Sequence, residues 1–516
     1  MKNNKLKMTS MKKIVSILLF TTVTVIGLWS CKKSFFDVSS SDGSITDASA
    51  FKTKPDYEKA LIGTYASLIG GNVGGDLWVA VPGWVSQDWV ENTLQPKPIE
   101  NFMATGSGHF LDYWTNLYKI VGSANLLLDK TATAPAGVLT DVEKGTISAQ
   151  AKFLRGFGYF MLARAYGDVP MPLVAYTPEQ NSLSCTPKAD VFKQAVKDLT
   201  EAAAGLPELN DWSGADRGRA TKGAALAYLA NAQMYLKDWT NAAKASTDLL
   251  ALSKPKYELA ADIHAPFSIK KKNDDDYKKE NIFEVQYREK AGDNFYWGDV
   301  PNGGQLLAGS TSPRDVGNKW ASWGGWGEQM INKKLVDAYD PTDERRKQLV
   351  KVRGESYKGE LMTETMGPND WGTNAAAQKD VGYSTKYWLG NDGGILAPQN
   401  LPMMRFAEVL LNYAEILFMQ SKPAEAYAQL NLVRARAKLP ALPVSTTAAT
   451  FMADIMRERR FELIFEPNLW FHYTRTETAA AFMQTVHGIT WQPKWAHFPT
   501  PDRERSINPN LCSNGY

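Results

Sequence analysis

The stretch TKGAALAYLANAQMYLKDWTNAAKASTDLLAL, residues 221–252, decides the fold. Apolar residues recur at helical spacing as far as Lys237, Asp238 interrupts, and a second run carries Trp239, Ala242, Ala243 and Leu249. Ala224, Ala227 and Ala230 put small side chains where two helix backbones can approach closely. The segment is therefore a pair of helices joined by a short turn.

The same pattern recurs on both sides. Tyr113, Leu117, Ile120, Ala124 and Leu127 define one helical stripe, and Ile147, Ala151, Leu154, Gly158, Met161 and Ala165 a second, stopped by Gly167, Asp168 and Pro170. A further helix runs from Val191 to Ala204, ended by Gly205 and Pro207. Late in the chain, residues 405–419 and 423–437 form another pair with the stripe Phe406, Val409, Leu410, Tyr413 and Leu417. Residues 451–465 follow with Ile455, Phe461, Leu463 and Ile464. In length and pattern these pairs resemble tetratricopeptide repeats, whose unit is ~34 residues. Such units bury their apolar faces only by stacking on neighbours. The expected fold is mainly α: a tetratricopeptide-like helical-repeat scaffold with long irregular loop excursions and a few short strands. Residues 51–516 are expected to form one domain, with excursions at about 70–110 and 255–400, both rich in Gly, Asn, Asp and Trp. Within the second excursion ENIFEVQY, residues 280–287, predicts a short strand. KKKNDDDYKKE, residues 270–280, reads as a solvated charge run, and an exposed loop there outweighs calcium binding by Asp274 to Asp276.

The N-terminus sets the compartment. Met11, Lys12 and Lys13 open a basic segment, and Ile14 to Leu28 is mostly apolar. That run falls short of the ~20 residues a spanning helix needs, so residues 1–30 read as a secretory signal. Leu28, Trp29, Ser30 and Cys31 resemble a bacterial lipobox, with Cys31 as the lipidated residue. Several acyl chains on one cysteine give lasting attachment to a membrane. Residues 31–50 are rich in Ser and Asp and read as a flexible tether. The signal also distorts the charge: the whole chain is at +3, but five lysines of residues 1–30 leave with it, and 53 basic against 55 acidic side chains remain. No basic patch points to nucleic acid. Cys185 and Cys512 are the other cysteines, and the sequence allows either a disulfide or two buried thiols. No CxxC or His–Cys cluster suggests a metal, and no cofactor is expected.

Tryptophans cluster inside the excursions. Trp78, Trp84 and Trp89 form one group; Trp320, Trp323 and Trp326 form another, with Tyr296 and Trp297 upstream. Gly324, Gly325 and Gly327 argue against a helix in the second group, since each glycine costs about 1 kcal/mol against alanine. Flat, rigid, half-polar rings on loops suit gripping a partner, and the C–H face of a pyranose is a natural one. These eight aromatics are the expected ligand platform. Gln87, Asp88, Asn92 and Asn318 are candidate partners for sugar hydroxyls, although turn formation alone accounts for each taken singly.

Catalysis is not expected. Glu462 and Glu466 stand four apart, the spacing of one helix face, but Arg457, Arg459 and Arg460 crowd the same helix and would keep both acids ionised. A general acid needs a raised pKa. The five histidines are scattered, and PNGGQ (residues 301–305) is followed by no Lys-Ser/Thr, so it is not a phosphate loop.

Long ordered stretches then carry a resemblance. FLRGFGYFMLARAYGDVPMPL (153–173), GRATKGAALAYLANAQMYLKDW (218–239), MRFAEVLLNYAEILF (404–418), LNLVRARAKLP (430–440), RERRFELIFE (457–466) and the closing PTPDRERSINPNLCSNGY resemble the SusD/RagB family of Bacteroidetes surface glycan-binding lipoproteins. The resemblance covers nearly all of the chain after the signal. It departs where the family often continues with an arginine-led aspartate segment; residues 467–472 here read PNLWFH. The resemblance implies four tetratricopeptide-like units, an outer-membrane location facing the exterior, and a partner: a SusC-like TonB-dependent transporter on which the lipoprotein sits as a lid. The repeat face would meet the transporter, and the irregular face would meet the glycan. A member tuned to peptides or glycopeptides is the alternative, and a surface hydrolase a more distant one.

Overall fold

Eleven helices of at least seven residues frame the described part of the protein: α1 (Lys54–Ala66), α2 (Asp76–Val85), α3 (Gly108–Ala132), α4 (Asp141–Tyr166), α5 (Lys188–Gly205), α6 (Lys222–Tyr235), α7 (Trp239–Leu250), α8 (Phe406–Met419), α9 (Pro423–Arg436), α10 (Ala448–Glu462) and α11 (Leu469–Arg475). The computed structural model describes residues 51–69, 76–91, 108–268 apart from 213, 275–287, 305–313, 325, 327, 329–362 apart from 358, 381–388 and 397–516. Cys31, the expected signal and the tether lie outside them. The chain divides into two units, 1–56 and 57–516. Of the first, residues 51–56 are described, where the Asp56 carboxylate accepts from the backbone N–H groups of Lys52 (3.1 Å) and Thr53 (2.8 Å). No described helix is long and apolar enough to cross a membrane.

In the second unit, α3 to α7 pack each on the next, and α8 packs on α7, α9 and α10. Helix α4 is the central member. Thr140 and Glu143 start it with a reciprocal cap, Thr140 Oγ1 accepting from Glu143 N at 3.2 Å and Glu143 Oε2 from Thr140 N at 2.8 Å. Gly158 lets α3 approach: a Cβ there would stand 2.8 Å from Val121 Cγ2. Helix α6 is buried at every residue from Gly223 to Met234, and Tyr228 Oη donates to Met403 O at 3.1 Å. The small-residue face read from the sequence is thus what packs: Ala224, Ala227 and Ala230 are all buried.

The expected strand is β2 below, one of four that matter to the site: β1 (Trp89–Glu91), β2 (Asn281–Val285), β3 (Gln329–Ile331) and β4 (Leu401–Arg405). β1 pairs antiparallel with β3, in register Trp89↔Ile331, and β2 pairs antiparallel with β4, in register Asn281↔Arg405. The first pair therefore joins the two excursions to each other, and the second ties the later excursion to the strand that leads into α8. Three expectations need correction. Residues 70–110 are not wholly irregular, because α2 occupies Asp76–Val85 despite Pro82 inside it. The helix expected to reach residue 465 stops at Glu462, and Phe465 turns the chain with φ 59°. The charge run ends not in solvent but at Glu280, which is fully buried.

The C-terminal segment completes the core. Phe498 is fully buried among Phe110, Tyr113, Tyr166 and Phe471, and its N–H donates to Ala165 O at 2.6 Å. Cys185 and Cys512 form a disulfide with Cα atoms 5.9 Å apart.

Candidate ligand-binding site

Trp78, Trp84 and Trp89 are core residues, which corrects the expectation that they face a ligand. Trp78 donates from Nε1 to Leu68 O at 2.7 Å and packs edge-on against Tyr113. Trp84 donates from Nε1 to Gln329 Oε1 at 2.7 Å. Trp89 stacks on Phe465, with centroids 3.7 Å apart and planes 18° apart. Gly83 makes room for that ring, since a Cβ there would meet it at 2.5 Å. The glycine-rich composition that suggested an open loop serves close packing instead.

What these tryptophans hold is the end of the second excursion. Trp84 grips Gln329, and Trp89 sits in the strand that pairs with β3. Asn332 adds two bonds, its N–H to Asp88 O at 2.8 Å and its Nδ2 to Gln87 O at 3.1 Å. Gln329 follows Trp326 by three residues. Tyr296, Trp297, Trp320, Trp323 and Trp326 lie outside the described residues, as do Asn92 and Asn318.

Asp88 is not a sugar partner either. Its carboxylate is buried and accepts from Arg460 Nε at 2.8 Å and Nη2 at 2.5 Å, with His487 Nε2 at 3.4 Å. Burial pushes this carboxyl up, but Arg460 and His487 outweigh it and hold it below its ordinary value.

Glu462 and Glu466 are paired with cations, as expected, but with others than those read from the sequence. Arg405 donates to Glu466 Oε2 (2.7 Å), Glu280 Oε1 (2.5 Å) and Glu462 Oε1 (2.9 Å). Arg345 reaches Asp343, Glu458 (2.6 Å) and Glu462 (3.2 Å). Arg436 pairs with Glu280 and Glu462, Arg434 with Glu458, and Lys386 with Glu466 at 2.6 Å. Five cations thus meet five carboxylates, all ten named here. Burial pushes the Glu462 carboxyl up, yet Arg436, Arg405 and Arg345 hold it well below the usual range, which is wrong for a general acid. The expected partners are engaged elsewhere: Arg459 pairs with Glu415 and Arg460 with Asp88. Among the described residues no group of three or more His, Cys, Asp or Glu side chains could hold a metal.

Glu408 behaves differently. It accepts from Asn468 Nδ2 at 2.7 Å and lies 3.0 Å from His472 Nε2. Burial pushes its carboxyl up to about 7, against the pull of Asn468, Arg164 and Arg459. The folded state therefore holds this proton more tightly than the unfolded chain does. The resulting stability is full below pH 4.5 and is lost as pH rises to about 7. Glu408→Gln keeps an oxygen acceptor and removes the titration. Its melting midpoint should match the parent's near pH 4.5 and exceed it above pH 7. A parent–variant gap that stays constant across that range contradicts this.

One aromatic cleft escaped the sequence reading. Trp114, Tyr118, Tyr176, Gln180, Asn181 and Asn508 line a cavity of about 280 Å³. Trp114 and Tyr118 stand beside the stripe of Tyr113 and Leu117 and are not singled out in the sequence. Tyr176 is 64% exposed, and its hydroxyl accepts from Asn181 Nδ2 at 2.9 Å.

A helical-repeat body with two stitched excursions is the class of molecule this geometry defines. Residues 279–514 match the family model described as the SusD family, and residues 83–236 match one described as starch-binding, associating with the outer membrane. SusD-like protein P2 of Formosa agariphila is 27% identical over 503 residues, 92% of this chain and 95% of that one. The fold matches a SusD-like carbohydrate-binding protein from Bacteroides fragilis, with TM-score 0.72 and 23% identity over 90% of this chain and 99% of the other. It also matches surface glycan-binding protein A from Bacteroides thetaiotaomicron, solved in complex with laminarihexaose, with TM-score 0.72 and 21% identity over 90% of this chain and 100% of the other. The chain belongs to the SusD/RagB family.

Proposed function

We propose that this protein is a lipid-anchored outer-membrane lipoprotein that captures an oligosaccharide and passes it to a SusC-like TonB-dependent transporter. The likeness to a glycan-binding relative solved with laminarihexaose, along 90% of this chain, carries the reading. The pairing of β3 with the tryptophan-packed β1 supports it, because β3 begins three residues after Trp326 in the sequence. With the first tryptophan cluster buried, the platform falls to Tyr296, Trp297, Trp320, Trp323 and Trp326. Weak binding follows from the chemistry: two or three stacked rings at about 1 kcal/mol each, plus hydrogen bonds, give roughly micromolar to millimolar affinity. A carrier that must release its cargo works in that range. The repeat face is left for the transporter.

Affinity electrophoresis through a panel of polysaccharides that includes laminarin tests the reading, with retardation in at least one of them expected. Release of reducing ends from any of the panel would instead make the protein a hydrolase. Membrane attachment has its own test. Cys31→Ala should move the protein from the membrane fraction to the soluble one on ultracentrifugation. Retention in the pellet would mean another anchor.

A further inference from the structure

The cleft beside Trp114 and Tyr118 has three walls, each tied to another. Helix α3 supplies Trp114 and Tyr118. The loop between α4 and α5 supplies Tyr176, Gln180 and Asn181. That loop is closed at its base by Val169 and Thr186, whose backbones exchange hydrogen bonds of 3.2 and 2.9 Å. Tyr118 Oη and Asn125 Nδ2 hold the loop to α3, donating to Pro170 O at 2.7 Å and to Pro172 O at 2.8 Å. The C-terminal segment supplies Glu504, Asn508 and Leu511. Asn508 Nδ2 donates to Leu183 O and Asn510 Nδ2 to Ser182 O, both at 2.8 Å, and the Cys185–Cys512 disulfide joins the same two segments. The cleft is therefore formed before any ligand enters it.

After those bonds a mixed set of donors and acceptors remains on the walls. Trp114 is 5% exposed, and its indole N–H has no hydrogen-bond partner, yet it is not sealed from solvent. Tyr176 Oη accepts from Asn181 Nδ2 and keeps its own proton free. Gln180 spends its Nε2 on Ala175 O at 3.0 Å, which leaves Oε1, and Asn181 likewise keeps Oδ1. The Glu504 carboxylate takes part in no ion pair among the described residues. Burial, then Tyr159 and Glu504, push the Tyr118 hydroxyl well above its ordinary value, which puts the Glu504 charge near that ring. Tyr176, 64% exposed, is the one aromatic ring of the described residues that stands mainly in solvent. No Lys, Arg or His of the described residues lines the cleft.

This set of groups decides among ligand classes. An oxyanion finds no cation here and meets Glu504. A bare cation or a partner's apolar side chain would cover the indole N–H and leave it unpaired, and an unmet buried donor is costly. A hydroxylated ring answers donors and acceptors together, and its C–H face suits an open aromatic ring. We propose that this cleft is a second saccharide site, built from residues outside both excursions. It takes one pyranose against Tyr176, with hydroxyls on the Trp114 indole and the Glu504 carboxylate. Its volume, about 280 Å³, falls at the small end of ligand pockets (~300–1,000 Å³) and fits a single ring, not a long chain. The ligand class rests on the saccharide reading above; the geometry does not.

The test uses full-length protein in detergent, isotopically labelled at tryptophan nitrogen. The Trp114 indole resonance is the one lost in Trp114→Phe. Glucose, galactose and mannose are titrated separately, followed by glucosamine. At least one neutral sugar should shift that resonance with roughly millimolar affinity, the strength of one stacked ring and a few hydrogen bonds. Tyr176→Ala, at an exposed position, should weaken this binding at least ~5-fold and leave the melting midpoint unchanged. No shift of the Trp114 resonance by any of the three neutral sugars, or a Tyr176→Ala variant that binds as the parent does, overturns the proposal. Glucosamine that binds tighter than every neutral sugar, and loses that binding in Glu504→Gln, makes the cleft an ammonium site and overturns it too. Polysaccharide retardation reports on the other reading. Its absence in the parent sinks glycan capture, whereas retardation with an unresponsive Trp114 sinks only the cleft.

Discussion

Arg405→Met should lower the free energy of unfolding by about 3–5 kcal/mol, the usual effect of removing one partner from a buried ion pair. Arg405 is 2% exposed and touches three carboxylates, Glu280, Glu462 and Glu466. Methionine replaces the aliphatic stem but leaves five acids to four cations. Arg436 remains beside Glu280 and Glu462, and Lys386 beside Glu466, which keeps the loss below that of an isolated buried charge. Burial already pushes the Lys386 ammonium down to about 8, so it is a weaker counter-ion at alkaline pH. The loss in Arg405→Met should therefore grow as pH rises through that value. Arg405→Lys should recover only part of the loss, because one ammonium cannot reach carboxylates on three sides. Urea denaturation monitored by tryptophan fluorescence gives both quantities. A variant within about 1 kcal/mol of the parent would show that protonation of a carboxyl compensates, and that the network contributes little to stability.

The second large effect concerns binding. Trp320→Ala with Trp323→Ala should weaken glycan binding about 30-fold, from two rings at about 1 kcal/mol each. The melting midpoint should stay near the parent's. Trp84→Ala supplies the contrast, since its indole bonds Gln329 inside the core and its removal should cost about 3–5 kcal/mol of stability. If the double variant binds as the parent does and Tyr176→Ala does not, the sugar occupies the cleft beside Trp114 and Tyr118 instead. Loss of stability in the double variant with binding intact would assign Trp320 and Trp323 to packing.

The helices were readable because their evidence is local. The turn at Asp238 separates α6 from α7 within a residue or two of its expected place, since a period of 3.6 needs only a dozen neighbours to show itself. The burial of Trp78, Trp84 and Trp89 was not readable, because what covers them is remote in sequence. Trp84 is bonded by Gln329 and Trp89 is covered by Phe465. Pro82 and Gly83 disguised α2: the first is a helix breaker in most contexts, and the second is there for the Trp89 ring. Glu462 shows the same limit in its charges. Arg457, Arg459 and Arg460 are its neighbours along the helix, yet the helix stops at Glu462 and its carboxylate meets Arg345, Arg405 and Arg436. The identity of a counter-ion depends on three-dimensional packing, whereas the ionised state depends only on there being one.

Phe498 gives the assembly of this molecule an order in time. Its ring fills the space between helices that begin almost four hundred residues earlier, and Arg460 reaches back 372 residues to Asp88. A chain synthesised from its N-terminus has α3 and α4 long before it has the plug that seals them. Until residue 498 arrives, Phe110, Tyr113 and Tyr166 have an unfilled gap beside them. Nascent or prematurely terminated chains should accordingly be protease-sensitive throughout the first repeats, and resistance should come late and all at once.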